Sequence, residues 1–169
     1  ATIDDVMGVI EILSSRREYT KLNPFVVLLG KGDHPITSSW TDQYDHENAN
    51  TLGITCSNIT FVGTGKDTTT VLGGFYIDNL ENITFKNMTV INTGGNGCSG
   101  IRMSDANVEL FDAALKGCTS YALNIPVPTS ETTIVATRCE FSNSRYGAII
   151  HGSLTSATFI IIVYSTITK

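Results

Sequence analysis

Charge is scarce in this chain. Only 16% of its 169 residues are Asp, Glu, Lys or Arg, and the balance is −5 at neutral pH. Nucleic acid calls for a basic footprint, and so does an anionic membrane surface, so the composition argues against both partners. Long apolar runs are missing too. The longest, Phe159 to Tyr164, is six residues, against the ~18 that a membrane span requires. Four cysteines (Cys56, Cys98, Cys118, Cys139) contain no CxxC pair, which disfavours a zinc ribbon or a thioredoxin-type motif. The first 15 residues lack the basic start and apolar stretch of a secretion signal, and carry Asp4, Asp5 and Glu11 instead. The chain opens at Ala1 without Met, which fits the loss of an N-terminal segment.

What is abundant is Thr, Asn, Ser, Gly and Ile, a composition of strands and turns. The length suits one domain over residues 1–169. Within it a segment recurs. Asn82–Val90 returns as Asn107–Leu115, then as Thr133–Phe141, then as Thr158–Thr166, at steps of 25, 26 and 25 residues. A fixed period of that size predicts stacked units.

Each unit divides into about three short strands with period-2 alternation. Ile59 and Phe61, Ile83 and Phe85, Val108 and Leu110, Ile134 and Ala136, and Phe159 and Ile161 form one set of inward rows. Met88 and Val90, Ala113 and Leu115, and Cys139 and Phe141 form a second. The third runs from Phe75 and Ile77 through Ile101 and Met103 and Leu123 and Ile125 to Ile149 and His151, behind small residues at 74, 100, 122 and 148. Cys139 therefore reads as a small buried apolar residue. Pairing of Cys98 with Cys118 stays open.

Three strands per turn predict an all-β fold: a single-stranded, right-handed parallel β-helix of about five coils. Asn58, Asn82 and Asn107 fall in one column, continued by Thr133 and Thr158, where stacked amides form a ladder. Residues 2–17 read as an amphipathic helix with Val6, Val9, Ile10 and Leu13 on one apolar face, Thr2 and Asp5 as a capping box, and Arg16 and Arg17 at its end. Such a helix would plug the open end of the core. Phe25–Leu29 is a short apolar strand, residues 37–50 form a polar loop, and residues 52–169 carry the coils.

These residues resemble the pectin-lyase-like superfamily of right-handed parallel β-helices over roughly residues 22–169. The stretch Asn58-Ile-Thr-Phe-Val-Gly-Thr-Gly-Lys-Asp-Thr-Thr-Thr-Val-Leu-Gly-Gly74 is similar to the early coil of pectin methylesterases. The opening from Thr2 to Val27 resembles uncharacterised β-helix proteins of unicellular algae. The resemblance implies a polysaccharide-binding or polysaccharide-degrading protein in an extracellular or surface setting. No motif like "QAVAL" or "DFIFG" occurs, and His151-Gly152 lacks a leading Gly. Asp4-Asp5 lies in the predicted cap. No catalytic residue is carried over.

Outward positions on one sheet hold Tyr76, Asp78, Arg102, Ser104, Asn124 and Ile150. An aromatic, an acid and a base on one face suit a sugar chain, and they equally suit an ordinary solvated face. The loop residues Trp40 and Tyr44 join this weak carbohydrate set. Asp42, Asp45, His46 and Glu47 could ligate a metal, but acidic loops are usually just solvated, and no metal site is assigned. Asp33-His34 is equally ambiguous. Gly63-Thr-Gly65 lacks the phosphate-loop spacing, and no cofactor is implied. A paired-carboxylate site fails at Asp78, whose neighbour one coil on is Ser104. Lys86 with Glu109, and Asp112 with Arg138, read as cross-coil ion pairs. Of three sequons, at Asn58, Asn82 and Asn87, the first two sit in the ladder.

The last repeat differs. Its outward positions, taken as Ile160 and Ile162, are as apolar as its inward ones. A strand apolar on both faces is one covered on both sides. Phe159, Ile160, Ile162 and Tyr164 are therefore the interface set, for a protein partner or for further coils. The sequence-level function is a non-catalytic structural or interaction module, with polysaccharide binding or cleavage as the alternative.

Overall fold

The computed structural model describes residues 2–14, 17–41, 47–95, 97–126, 129–151 and 158–168, with backbone alone at Ile150 and His151. It is a β-solenoid of about four turns whose three main sheets are wholly parallel. The first sheet stacks β1 (Phe25–Leu28), β6 (Ile59–Val62), β9 (Ile83–Lys86), β12 (Asn107–Phe111), β15 (Thr132–Thr137) and β18 (Thr158–Val163). The second stacks β2 (Gly32–Pro35), β7 (Thr69–Leu72), β10 (Thr89–Ile91), β13 (Ala114–Lys116), β16 (Glu140–Ser142) and β19 (Thr166–Ile167). The third stacks β5 (Thr51–Gly53), β8 (Gly74–Asp78), β11 (Ile101–Ser104), β14 (Tyr121–Ile125) and β17 (Gly147–His151). A two-stranded antiparallel ribbon, β3 (Trp40–Thr41) with β4 (Glu47–Asn48), leaves the first coil.

Alternation sets the core. In β6, β9 and β15 every second residue is buried. Three of the inward phenylalanines stack along and across the coils: Phe61 lies parallel to Phe85 at 5.2 Å, and Phe75 meets Phe85 at 4.6 Å. Burial of each ring contributes about 1.5–3 kcal/mol. At Gly74 no side chain fits, since a Cβ would lie 2.3 Å from the Ser99 carbonyl oxygen.

The last four strands of the first sheet, β9, β12, β15 and β18, are each followed by a residue in the left-handed conformation. Asn87 (φ 56°), Asp112 (φ 49°), Arg138 (φ 54°) and Tyr164 (φ 49°) hold this place in successive coils. Asn and Asp tolerate that region; Arg and Tyr occupy it at a cost.

The last strand corrects the sequence register. The pairing sets Ile134 beside Ile160 and Ala136 beside Ile162. Phe159 and Ile161 thus point outward, and Ile160 and Ile162 pack on the core. The run from Phe159 to Val163 is apolar throughout, so alternation could not choose between two registers one residue apart. Turn chemistry chooses instead. The backbone N–H of Cys139 donates to Ser165 Oγ at 2.9 Å, as the N–H of Cys118 donates to Ser144 Oγ at 3.2 Å one coil earlier.

The amide ladder is shorter than expected. Asn82 Nδ2 donates to Asn58 Oδ1 at 2.8 Å, and Asn58 Nδ2 donates to the Tyr19 carbonyl at 3.0 Å. Asn58 and Asn82 have left-handed backbones, whereas Asn107 lies inside β12, so its side chain leaves the column and its Oδ1 has no partner. Thr133 pairs with Phe159, so Thr158 does not continue the column.

The cap is a 3-10 turn, Ile3–Asp5, followed by α1 (Val6–Ser14). Thr2 and Asp5 form the capping box. Ile3 and Ile10 reach the core, with Val6 and Met7 packed against it, while Val9 and Leu13 face away. The buried stripe is therefore rotated from the one the sequence predicts. Arg17 lies beyond the helix, and Arg16 lies outside the described residues. Asp4 fastens the cap: Oδ2 accepts from the N–H and Oγ1 of Thr37 at 3.0 and 2.8 Å, and Oδ1 from the N–H and Oγ of Ser38 at 3.2 and 2.8 Å.

Candidate functional site

On the third sheet the register runs Gly53, Tyr76, Arg102, Asn124, Ile150 up the outer face. The ribbon lays Trp40 over Gly53, where a Cβ would come within 1.8 Å of the indole. The indole stacks on Tyr76 (centroids 5.5 Å apart, planes 26°), and the Arg102 guanidinium stands 5.8 Å from the same ring's centre. Trp40, Tyr76 and Arg102 are thus brought together, as the sequence grouped them. Tyr76 sits between the other two, so the ring face a sugar would use is already in contact. Trp40 Nε1 is buried without a hydrogen-bond partner. Tyr44 lies outside the described residues, as does the side chain of Ile150. Gly53 is a residue that sequence reasoning missed; its signal is a missing side chain in an otherwise bulky outward column.

Asp78 is exposed and faces Ser104, as the repeat predicts. An acid is nonetheless near. Partial burial and the charge of Asp105 hold the Asp78 carboxyl above its ordinary value, against the pull of Arg102. Asp105 is already committed: it accepts from Thr129 N–H and Oγ1 at 2.7 Å each and from Ser130 N–H at 2.6 Å. Burial pushes its carboxyl up, and these bonds together bring it below the ordinary value. The arrangement is a clamp on the chain at 129–130.

The other polar candidates separate. Asp42, Asp45 and His46 lie outside the described residues, and Glu47 is exposed in β4. Among the described residues no group of three or more His, Cys, Asp or Glu is placed to hold a metal ion. His34 Nε2 bonds with the Gly30 carbonyl at 3.0 Å, closing a turn. All four thiols are free, and burial raises each above its ordinary pKa, which is the opposite of an activated nucleophile. Asp112 and Arg138 form the expected ion pair through two bonds of 2.8 and 2.7 Å, with the guanidinium 4.0 Å from the Phe111 ring centre. Lys86 and Glu109 do not pair: Lys86 lies opposite Phe111, and Glu109 opposite Thr84.

The C-terminal coil is the other candidate. β18 ends the first sheet, β19 the second and β17 the third. From Thr158 to Thr168 no side chain is charged. Phe159 is 50% exposed, Ile161 48% and Tyr164 90%. Of the predicted interface set, Phe159 and Tyr164 stand outside, while Ile160 and Ile162 are half-buried against the core. Ile161 is the residue the sequence register hid. Exposed apolar groups are not spread evenly. Thirteen large ones are exposed among the described residues. Six lie in α1, the turn after it and β1, and four lie in the last coil. No described helix is long and apolar enough to cross a membrane. Comparison with protein-family models, curated proteins and solved structures finds no match.

Proposed function

We propose that this chain is a non-catalytic β-solenoid module that engages a protein partner through its C-terminal coil. The carrying observation is β18: uncharged, apolar on its outer face at Phe159 and Ile161, and paired on one edge only. An unpaired strand edge is a template for another strand, and monomeric proteins blunt it with charge or Pro. Neither occurs from Thr158 to Thr168. The raised thiols and the internal commitment of Asp105 also favour a binding role over chemistry.

The test is the double substitution F159E/I161E. Both side chains point outward, so the fold should keep its stability to within about ±0.5 kcal/mol, while binding of an apolar dye to the last coil is lost. A stability loss above roughly 2 kcal/mol would mean that these side chains serve the fold. Wild-type β18 amides exchanging as slowly as those of β15, with no dye bound, would also defeat the reading.

A second reading rests on Trp40. Its unpartnered Nε1, beside Tyr76, Arg102 and Asp78, supports a polysaccharide-binding patch of the kind the pectin-lyase-like resemblance implies. A glycan array and a uronide-lyase screen test it. Binding or turnover abolished by W40A would establish this role; a blank screen removes it.

A further inference from the structure

The two ends of the solenoid carry matching apolar surfaces, and we infer that copies of this chain stack head to tail, the N-terminal cap of one resting on the C-terminal coil of the next. This rests on the C-terminal contact proposed above and names its partner as a second copy.

Exposure at the ends has a plain cause, since end coils have a neighbour on one side only. That cause does not choose the residue type. The outward column of the first sheet shows the choice: Val26, Thr60, Thr84, Glu109, Val135, Ile161. It is polar in the middle coils and apolar at both ends. The neighbouring column, Leu28, Val62, Lys86, Phe111, Thr137, Val163, is also apolar at both ends, but it carries Val62 and Phe111 within. Leu28 is 77% exposed and Val26 49%.

Above the first coil lies α1. Its inner face is spent on the core, yet its outer face presents Val9, Ile12 and Leu13 beside the polar Glu11 and Ser14. A helix that only plugged the core would be polar outside. In a stack this outer face covers the half-buried Ile160 and Ile162 of the next copy. Val26 and Leu28 fall in line with Ile161 and Val163 on one outer face. A tail-to-tail pair would cover the last coil alone and leave the cap surface without a role. The contact joins unlike surfaces, so it does not close on itself and builds open chains. Apolar burial drives it.

Two variants read out the arrangement by light scattering across a concentration series. V26E/L28E blocks the head and F159E/I161E blocks the tail; lysines at the same positions replace the glutamates if circular dichroism shows a disturbed fold. Wild type should rise in mass with concentration, without stopping at two copies. Each variant alone should stay at 18.2 kDa. An equimolar mixture should give twice that mass and nothing larger, because it retains one good head and one good tail. Wild type fixed at the monomer mass overturns the stack, and so does a mixture that stays monomeric. If head-blocked protein still dimerises while tail-blocked protein does not, copies pair tail to tail: the stack is wrong, but the C-terminal contact stands.

Discussion

Position 164 shows how a single residue can carry both register and strain. Tyr164 holds a left-handed backbone (φ 49°) where Asn87 and Asp112 hold it in earlier coils. That conformation costs a non-glycine residue about 1–2 kcal/mol, least for Asn and Asp. Tyr164 is 90% exposed, so little packing offsets the cost. Tyr164→Asn should therefore raise stability by roughly 0.5–1 kcal/mol in urea unfolding with an unchanged m-value. A drop would mean that the ring packs in solution as it does not here. The same column explains a miss in the sequence reading. Apolar letters alone cannot align the last repeat, because Phe159–Val163 supplies no alternation. Aligned on Asn87, Asp112 and Arg138, the next left-handed position falls at Tyr164, and the inward pair becomes Ile160 and Ile162. Trp40 over Gly53 was hidden for another reason: a loop side chain and a gap in a distant strand share no local pattern.

Among the elements, the cap depends most on one carboxylate. Asp4 is pushed up by partial burial, but four hydrogen bonds from Thr37 and Ser38 outweigh this and leave its pKa below 3.8. A carboxyl lowered in the folded state stabilises fully above its unfolded value, and that contribution is lost as the pH falls through the folded value. The latch should hold from neutral pH down to about 5 and release below 3.8. Asp5, Asp105 and Asp112 are lowered as well, so wild type loses stability in acid from several sites. Asp4→Asn should lower the thermal midpoint at pH 7 and shrink the fall between pH 7 and 3. An unchanged pH profile in this variant would show that the latch is not formed. The helix itself was legible from its apolar spacing, but its rotation was not. Val6, Val9, Ile10 and Leu13 form one stripe on a wheel, whereas the core takes Ile3 and Ile10, because the cap is held in place by Asp4 as well as by its apolar face.

At the scale of the molecule, the solenoid was readable because inward rows repeat: Phe61 with Phe85, Met103 with Ile101, Leu115 with Phe141 all lie where period and alternation place them. The outer surface was less readable, since nothing in a polar column says which of its members meet a loop. Tyr76 and Arg102 came together as grouped; Asp105 bound its own chain instead. The pairing distance has a further consequence. In the first sheet from β6 onward, equivalent residues of adjacent coils lie 24 to 26 positions apart in the chain. Among the described residues no sheet bond joins coils that are not neighbours. A pull on the two ends would therefore detach coils one after another from an end, and each would release roughly 80–90 Å of slack chain. Stretching a single molecule should give evenly spaced force peaks of that length instead of one rupture.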